Sequence, residues 1–245
     1  MKCRNFAHRG FSGKYPENTM LAFEKALEIG CEGIEFDVHF TKDKELVIIH
    51  DELIDRTGDK KGLVKDMTYA ELCEVNFAYK YKDEVPFQRI PTLREYFELV
   101  KDKDIISNIE LKTGVFEYDG IEQAVYDLIK EFHMEKKVIV SSFNHHSVMR
   151  MKAIDPEIEC GFLVETWILD VASYIEKNHI EAYHPYFYQL TPSEVADLRK
   201  HNIKINTWTV NEYEDIQRMI DIEADGIIGN FPDRVKELLI KNGLR

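Results

Sequence analysis

Residues 32–50 read EGIEFDVHFTKDKELVIIH, and the architecture turns on how this stretch folds back. Two strand-like runs, EGIEFDVHF and ELVIIH, are joined only by Thr41-Lys42-Asp43-Lys44. Parallel neighbours need a crossover of a dozen or more residues, so this pair must be an antiparallel hairpin. Other strand-like runs recur along the chain: NFAHRG, DIISNIELK, KVIVSSF, ECGFLVE, IEAYHPYF, KINTWTV and ADGIIGN. Helical patterns lie between most of them, the order expected of a parallel sheet. With the hairpin's return strand set aside, eight parallel strands remain, which predicts a closed (β/α)8 TIM barrel. The hairpin then projects above the rim and delivers His50 to the mouth.

The length of 245 residues agrees, since one-domain barrels run to roughly 250. The first helical pattern, NTMLAFEKALEIG, repeats Ala22, Phe23, Ala26 and Ile29 at the spacing of a buried helix face, with Asn18 as its N-cap and Gly30 as its stop. The last, PDRVKELLIKNG, has the same punctuation. The third barrel strand does not begin until about Ile105, so residues from about 51 to 104 are too many for an ordinary connection. They hold the helical patterns TYAELCEV and TLREYFELVK and the aromatic-rich NFAYKYKDEVPF. The expected organisation is a single catalytic domain, 1–245, with a small insertion at about 51–104 over the C-terminal face of the barrel.

Forty-five carboxylates against 32 lysines and arginines give a net charge of −13. Such a surface repels nucleic acid and anionic membranes at long range, which argues against either as a partner. A small anionic ligand is still admissible, because one cation or a local Arg/Lys pair inverts the field at a site. Cys3, Cys31, Cys73 and Cys160 are scattered without a CxxC pair, so neither a zinc cluster nor a disulfide framework is indicated. No apolar stretch approaches the length of a signal peptide or a membrane span, and the expected address is the cytoplasm, with no membrane insertion.

In a barrel of this kind, reacting groups stand at the C-terminal ends of the strands. Strand one ends in His8-Arg9-Gly10, an imidazole, a guanidinium and a flexible glycine suited to handling an anion. Strand two ends in Glu35-Phe36-Asp37 and strand three in Glu110-Leu111-Lys112. Residues two apart on a strand share a face, so Glu35 with Asp37, and Glu110 with Lys112, point the same way. Three carboxylates meeting in the barrel would raise one another's pKa values unless a hard cation joined them. Mg²⁺ or Ca²⁺ prefers oxygen ligands, and the expectation is one divalent ion held by Glu35, Asp37 and Glu110. The pair His145-His146 reads as solvated, and His184 as more structural than ligand-binding. Among the aromatics, Phe77, Tyr79, Tyr81 and Phe87 read as core or lid packing, with the glycerol carbons or a choline head group as an alternative contact for the first three. Trp208 is the best candidate for a substrate contact, because it lies on a barrel strand.

These segments together resemble a known family. AHRG, PENT and AF, then GIEFDV followed by TKDKELVIIHD, are similar to the glycerophosphodiester phosphodiesterases. RTGDKKGLVKDMTYAEL, IPTLREYF, NIELK, SSFN, NTWTVN and DGIIGNFPD continue the likeness in family order over nearly the whole chain. The resemblance implies a TIM barrel with an insertion after His50-Asp51. It implies hydrolysis of a small-molecule glycerophosphodiester to glycerol 3-phosphate and an alcohol such as choline, ethanolamine or glycerol. It places the acid/base histidines at His8 and His50, the metal carboxylates at Glu35, Asp37 and Glu110, and the phosphate-contacting cations at Arg9 and Lys112. Glu17 and Asn18 fall in the family's PEN element and are expected to brace the first site loop. Gly229 and Asn230 stand where many relatives have Thr-Asp, a departure expected to tune a loop without touching the chemistry.

The sequence leaves open which histidine is the acid, and whether the nucleophile is water or the glycerol 2-hydroxyl. It is also silent on Mg²⁺ versus Ca²⁺, the preferred alcohol and whether the chain forms a homo-oligomer. Two other readings compete: a barrel lyase that cleaves a phospholipid diester to a cyclic phosphate, and a non-catalytic glycerophosphodiester-binding barrel. A metal-dependent amidohydrolase would want an HxH pair at the first strand, where this chain has His-Arg.

Overall fold

The computed structural model describes residues 3–81 and 84–245; Lys82 and Asp83, within the aromatic-rich stretch, lie outside the described residues. Its strands are β1 (Arg4–His8), β2 (Gly33–Phe40), β3 (Leu46–Ile48), β4 (Ile106–Leu111), β5 (Val138–Ser142), β6 (Cys160–Val164), β7 (Ala182–Pro185), β8 (Lys204–Thr207) and β9 (Gly226–Gly229). Around the sheet the order is β1-β9-β8-β7-β6-β5-β4-β2, and β1 pairs with β2 to close it. All of these pairings are parallel; β3 alone is antiparallel, returning along β2 with Val38 opposite Ile48. The fold is therefore the (β/α)8 barrel, with the hairpin strand outside the ring.

Strand alternation sorts the side chains. On β2, Ile34, Phe36, Val38 and Phe40 join the core between sheet and helices, while Gly33, Glu35, Asp37 and His39 take the opposite face, toward the barrel axis. The floor of the barrel is a small apolar plug of Phe6, Ile139 and Ile228. Gly33 makes room for it, since a Cβ there would sit 2.2 Å from the Phe6 ring. Above the plug the lining turns polar, with Asn108, Ser141, His184 and Asn206 all buried.

The outer layer is built from α1 (Met20–Ile29), α3 (Leu93–Val100), α4 (Ile121–Glu131), α5 (His145–Ile154), α6 (Val171–Lys177), α7 (Pro192–Lys200), α8 (Tyr213–Asp221) and α9 (Pro232–Lys241); α2 (Tyr69–Cys73) belongs to the segment after β3. Thr19, not Asn18, caps α1: its side chain accepts from the Ala22 amide, and Gly30 ends the helix at φ 76°. Thr68, Thr92 and Thr191 form capping boxes with Glu71, Glu95 and Glu194, which start α2, α3 and α7. Helix α3 packs in the main core, where Tyr96 lies 4.3 Å from Phe36 and 5.0 Å from Phe23 between ring centroids.

The segment between β3 and α3 gathers a cluster of its own: Ile54, Val64, Leu72, Val75, Phe77 and Ile90 pack on Val47 and Ile49 of the hairpin. Phe77 is consumed by this cluster and cannot reach a ligand at the mouth, whereas Phe87 is exposed. Among the described residues no helix is long and apolar enough to cross a membrane.

Phe23 is fully buried against both Phe36 and Tyr96. Phe23→Ala is expected to lower unfolding stability by about 3–5 kcal/mol, read from the urea midpoint, through lost burial and the cavity left between α1 and α3.

Candidate functional site

At the end of β1 the chain turns sharply, with Arg9 at φ 55° and Gly10 at φ 76°. Gly10 has no alternative there, because a Cβ would lie 2.7 Å from the Ala22 backbone. The Arg9 amide donates to the Glu35 carbonyl at 2.7 Å, which docks the turn onto the neighbouring strand. Strand register then levels the reactive groups. His8 stands opposite Glu35, and Asp37 opposite Glu110. The hairpin continues past β3 so that the Ile49 amide donates to the Asp37 carbonyl and His50 arrives beside the carboxylates.

Glu35, Asp37 and Glu110 are all buried, and each offers an oxygen within 4.8 Å of the others'. Asn18, also at a positive φ of 54°, spends its amide on Asp37, with Nδ2 donating to Oδ2 at 2.9 Å. Lys112 Nζ lies 2.9 Å from Glu110 Oε1 and 3.7 Å from Asp37 Oδ1, and Arg9 Nε lies 3.4 Å from Asp37 Oδ2. Arg9 Nη1 also donates to Glu17 Oε1 at 2.9 Å, so Glu17 and Asn18 brace the loop from both sides.

The electrostatics are lopsided. Burial, then the charges of Asp37 and Glu110, raise Glu35 well above the usual carboxylate range. Burial likewise raises Glu110 in spite of Lys112. Burial would raise Asp37 too, but Arg9 and Lys112 outweigh it and hold that carboxyl below its usual value. Three acids thus face two cations, and one buried oxygen, Asp37 Oδ1, has no hydrogen-bond partner. An all-oxygen set with an unspent ligand atom and surplus negative charge fits a hard divalent cation.

His8 Nδ1 lies 2.6 Å from Asn230 Oδ1, an acceptor, so Nδ1 carries the proton and Nε2 faces Glu35 Oε2 at 3.8 Å. Burial, with the Arg9 guanidinium, pushes the His8 pKa down to about 3. His50 Nδ1 lies 2.5 Å from Asp51 Oδ1. Its backbone carbonyl accepts from His39 Nε2 at 3.1 Å, and Tyr118 Oη holds the other nitrogen of His39 at 2.9 Å. The two candidate histidines, Arg9, Glu35 and Glu110 line one small cavity of about 60 Å³. Its other wall is apolar: Phe143, Leu163, Trp208 and Ile228. A larger surface groove of about 490 Å³ near Glu117, Glu122 and Arg150 has no comparable convergence of acids, bases and cations.

The departure at Gly229-Asn230 does more than tune a loop. Asn230 is the hydrogen-bond partner of His8, and it also accepts from Ser12 Oγ at 3.1 Å. A Cβ on Gly229 would lie 2.2 Å from the Val210 carbonyl oxygen, so a threonine has no room on this backbone. The structure adds Asn230, Asp51, Asn108 and Phe143 to the site residues legible in the sequence. Asp51 alone had a local signal, since it follows His50 directly. Trp208 sits just past β8, packs edge-on to Phe143 at 5.3 Å and donates its indole N–H to the His184 carbonyl at 2.8 Å. His184 is fully buried beneath the cavity, accepting from Asn206. His146 is exposed as expected, but His145 is pinned: it stacks on Phe162 at 3.9 Å and bonds the Leu163 carbonyl and Tyr174.

A model of the glycerophosphoryl diester phosphodiesterase family matches residues 8–234. A glycerophosphodiester phosphodiesterase of Caldanaerobacter subterraneus is 41% identical over 99% of this chain and 100% of its own. One from Bacillus altitudinis is 41% identical over 95% of this chain and 96% of its own. The solved structure of an Oleispira antarctica phosphodiesterase, in complex with the product sn-glycerol-3-phosphate, superposes with a TM-score of 0.88 at 26% identity, covering 96% of each chain.

The crowded acids generate a stability prediction. With divalent ions chelated, Glu35→Gln is expected to stabilise the protein by about 0.5–2 kcal/mol, because it removes one mutually repelling buried group. Added Mg²⁺ or Ca²⁺ should raise the Tm of the wild type and do so less in the variant. An unchanged or lower Tm of the chelated variant would contradict the account of repulsion.

Proposed function

The chain belongs to the glycerophosphoryl diester phosphodiesterase family, and from that premise we propose that it is a divalent-cation-dependent enzyme that hydrolyses glycerophosphodiesters to sn-glycerol 3-phosphate and an alcohol. The observation that carries this reading is the convergence of residues far apart along the chain on one cavity: His8, Arg9, Glu35, His50 and Glu110 line it, with Asp37 against Arg9 and Lys112 against Glu110. The product in the Oleispira relative supports the same substrate class.

Glu35, Asp37 and Glu110 would hold the cation, Mg²⁺ or Ca²⁺. When bound, it supplies fixed positive charge for the phosphate's non-bridging oxygens. Arg9 adds a planar fork that matches phosphate oxygens, and Lys112 a point charge beside it. Their present partners, Glu17, Asp37 and Glu110, hold both side chains in place before substrate arrives, so little reorganisation is needed as charge builds in the transition state. The apolar wall, with Trp208, packs on the carbon skeleton of the substrate.

The hydrogen-bond partners divide the proton work. The Asp51 carboxylate holds His50 through Nδ1, which leaves Nε2 as the atom that hands a proton to the leaving alkoxide. His8 is backed by the neutral amide of Asn230, which leaves Nε2 as the lone-pair nitrogen, placed to take a proton from the nucleophile, water or the glycerol 2-hydroxyl. The whole barrel acts as one catalytic domain with the segment after β3 as its insertion. The four free cysteines fit a reducing, cytoplasmic setting.

His8→Ala and His50→Ala are each expected to lower kcat by about 10²–10⁴-fold in a glycerol-3-phosphate-coupled assay with metal saturating. With a nitrophenyl glycerophosphodiester, whose leaving group needs no proton, the His50→Ala loss should shrink and the His8→Ala loss persist. The reverse pattern exchanges the two roles, and near-wild-type turnover in either variant removes that histidine from the chemistry. Calorimetry of the chelated Glu35→Ala/Asp37→Ala/Glu110→Ala protein should show no high-affinity Mg²⁺ or Ca²⁺ binding; wild-type-like binding would refute the ligand set.

A further inference from the structure

Arg56 lies in the short 3-10 turn Ile54–Arg56 that opens the inserted segment. Ile54 roots the turn in the insertion's apolar cluster, and the Gly58 amide closes it onto the Ile54 carbonyl at 2.7 Å. The guanidinium reaches back to the rim and makes four hydrogen bonds to two carboxylates. Nε and Nη2 donate to Asp51 Oδ2 and Oδ1 at 2.6 and 3.3 Å. Nη1 and Nη2 donate to Glu17 Oε2 and Oε1, both at 2.7 Å. Each of those carboxylates has a second partner in the cavity: Asp51 holds His50 Nδ1 at 2.5 Å, and Glu17 holds Arg9 Nη1 at 2.9 Å. An unbroken chain therefore runs His50–Asp51–Arg56–Glu17–Arg9.

We infer that Arg56 is a positioning residue for the reaction: it fixes the His50 imidazole through Asp51 and the Arg9 guanidinium through Glu17, so that the proton-transfer group and the phosphate clamp are held as one unit. The geometry demands an arginine. Two carboxylates from different loops share one planar fork, which satisfies both and screens their mutual repulsion; a lysine offers one compact charge and cannot bond both edge-on. It also gives the inserted segment a function beyond covering the barrel, because the segment anchors the residue that orders the mouth. The inference rests on the phosphodiesterase reading above only for its kinetic arm.

The test compares Arg56→Ala and Arg56→Lys in wild-type, Asp51→Ala and Glu17→Ala backgrounds. Arg56→Ala is expected to lower kcat by about 10–100-fold, the usual effect of removing a group that orients a reacting one, and to raise KM through the loosened Arg9. In the Asp51→Ala background the same substitution should change kcat by no more than about twofold, since the path to His50 is already cut. In the Glu17→Ala background it should no longer raise KM. Arg56→Lys keeps the charge and the fold and should still lose kcat at least about tenfold. Ethylguanidinium should restore part of the activity of Arg56→Ala. Full, additive losses in both backgrounds, or wild-type kcat in Arg56→Lys, would overturn the inference. An arm independent of turnover is a long-range ¹H–¹⁵N spectrum of the histidines in the metal-replete protein. His50 should hold its proton on Nδ1 in the wild type and populate both tautomers in Arg56→Ala; an unchanged His50 pattern refutes the inference whatever the substrate. A wild type without turnover on any glycerophosphodiester would instead refute the functional reading and leave the spectrum to decide this one.

Discussion

Three carboxyl groups forced together at the top of a barrel set the terms for everything around them. Taking even one carboxylate out of water costs several kcal/mol in a real protein. Glu35, Asp37 and Glu110 are all buried, with their oxygens within 4.8 Å of one another. Arg9, Lys112 and the Asn18 amide are the groups that make this arrangement tolerable, and they converge mainly on Asp37. The compensation is incomplete by one charge. Three oxygen-bearing groups placed in this way could hold a hard cation, which would offset their repulsion.

The rest of the architecture supplies that cluster with rigid walls. Parallel register puts His8 level with Glu35 and Asp37 level with Glu110. An apolar plug of Phe6, Ile139 and Ile228 closes the barrel below. The hairpin brings His50 in from outside the ring, with His39 bonded to its backbone carbonyl and Tyr118 holding His39 in turn. The site loops themselves adopt left-handed backbone at Arg9 and Asn18, a local cost of order 1 kcal/mol each, sustained because both side chains are fixed by the carboxylates.

The two histidines are held by different chemistry. One leans on a carboxylate and the other on a neutral amide. That asymmetry matters more than their sequence contexts, because the group behind an imidazole decides which nitrogen carries the proton and how readily it is kept. It also gives meaning to Asn230, which from the chain alone reads as a loop variation.

What the sequence determined by itself was everything with a local period or a short loop. Alternation on β2 placed Glu35 and Asp37 on one face, and a four-residue connection forced the hairpin and hence the eight-strand ring. Gly30 announced the end of α1 because only a residue without a Cβ sits easily at its φ of 76°. The tertiary structure decided what depends on partners distant along the chain. Asn18 could have been an N-cap until Asp37 claimed its amide and Thr19 took the cap. Phe77 could have faced a ligand until the insertion's own cluster buried it. His8 met Asn230 from 222 residues away, and Arg56 met Glu17 from 39. A hydrogen bond of that kind leaves no periodic trace in either segment, since its geometry exists only once the barrel has closed and brought the two strand ends together.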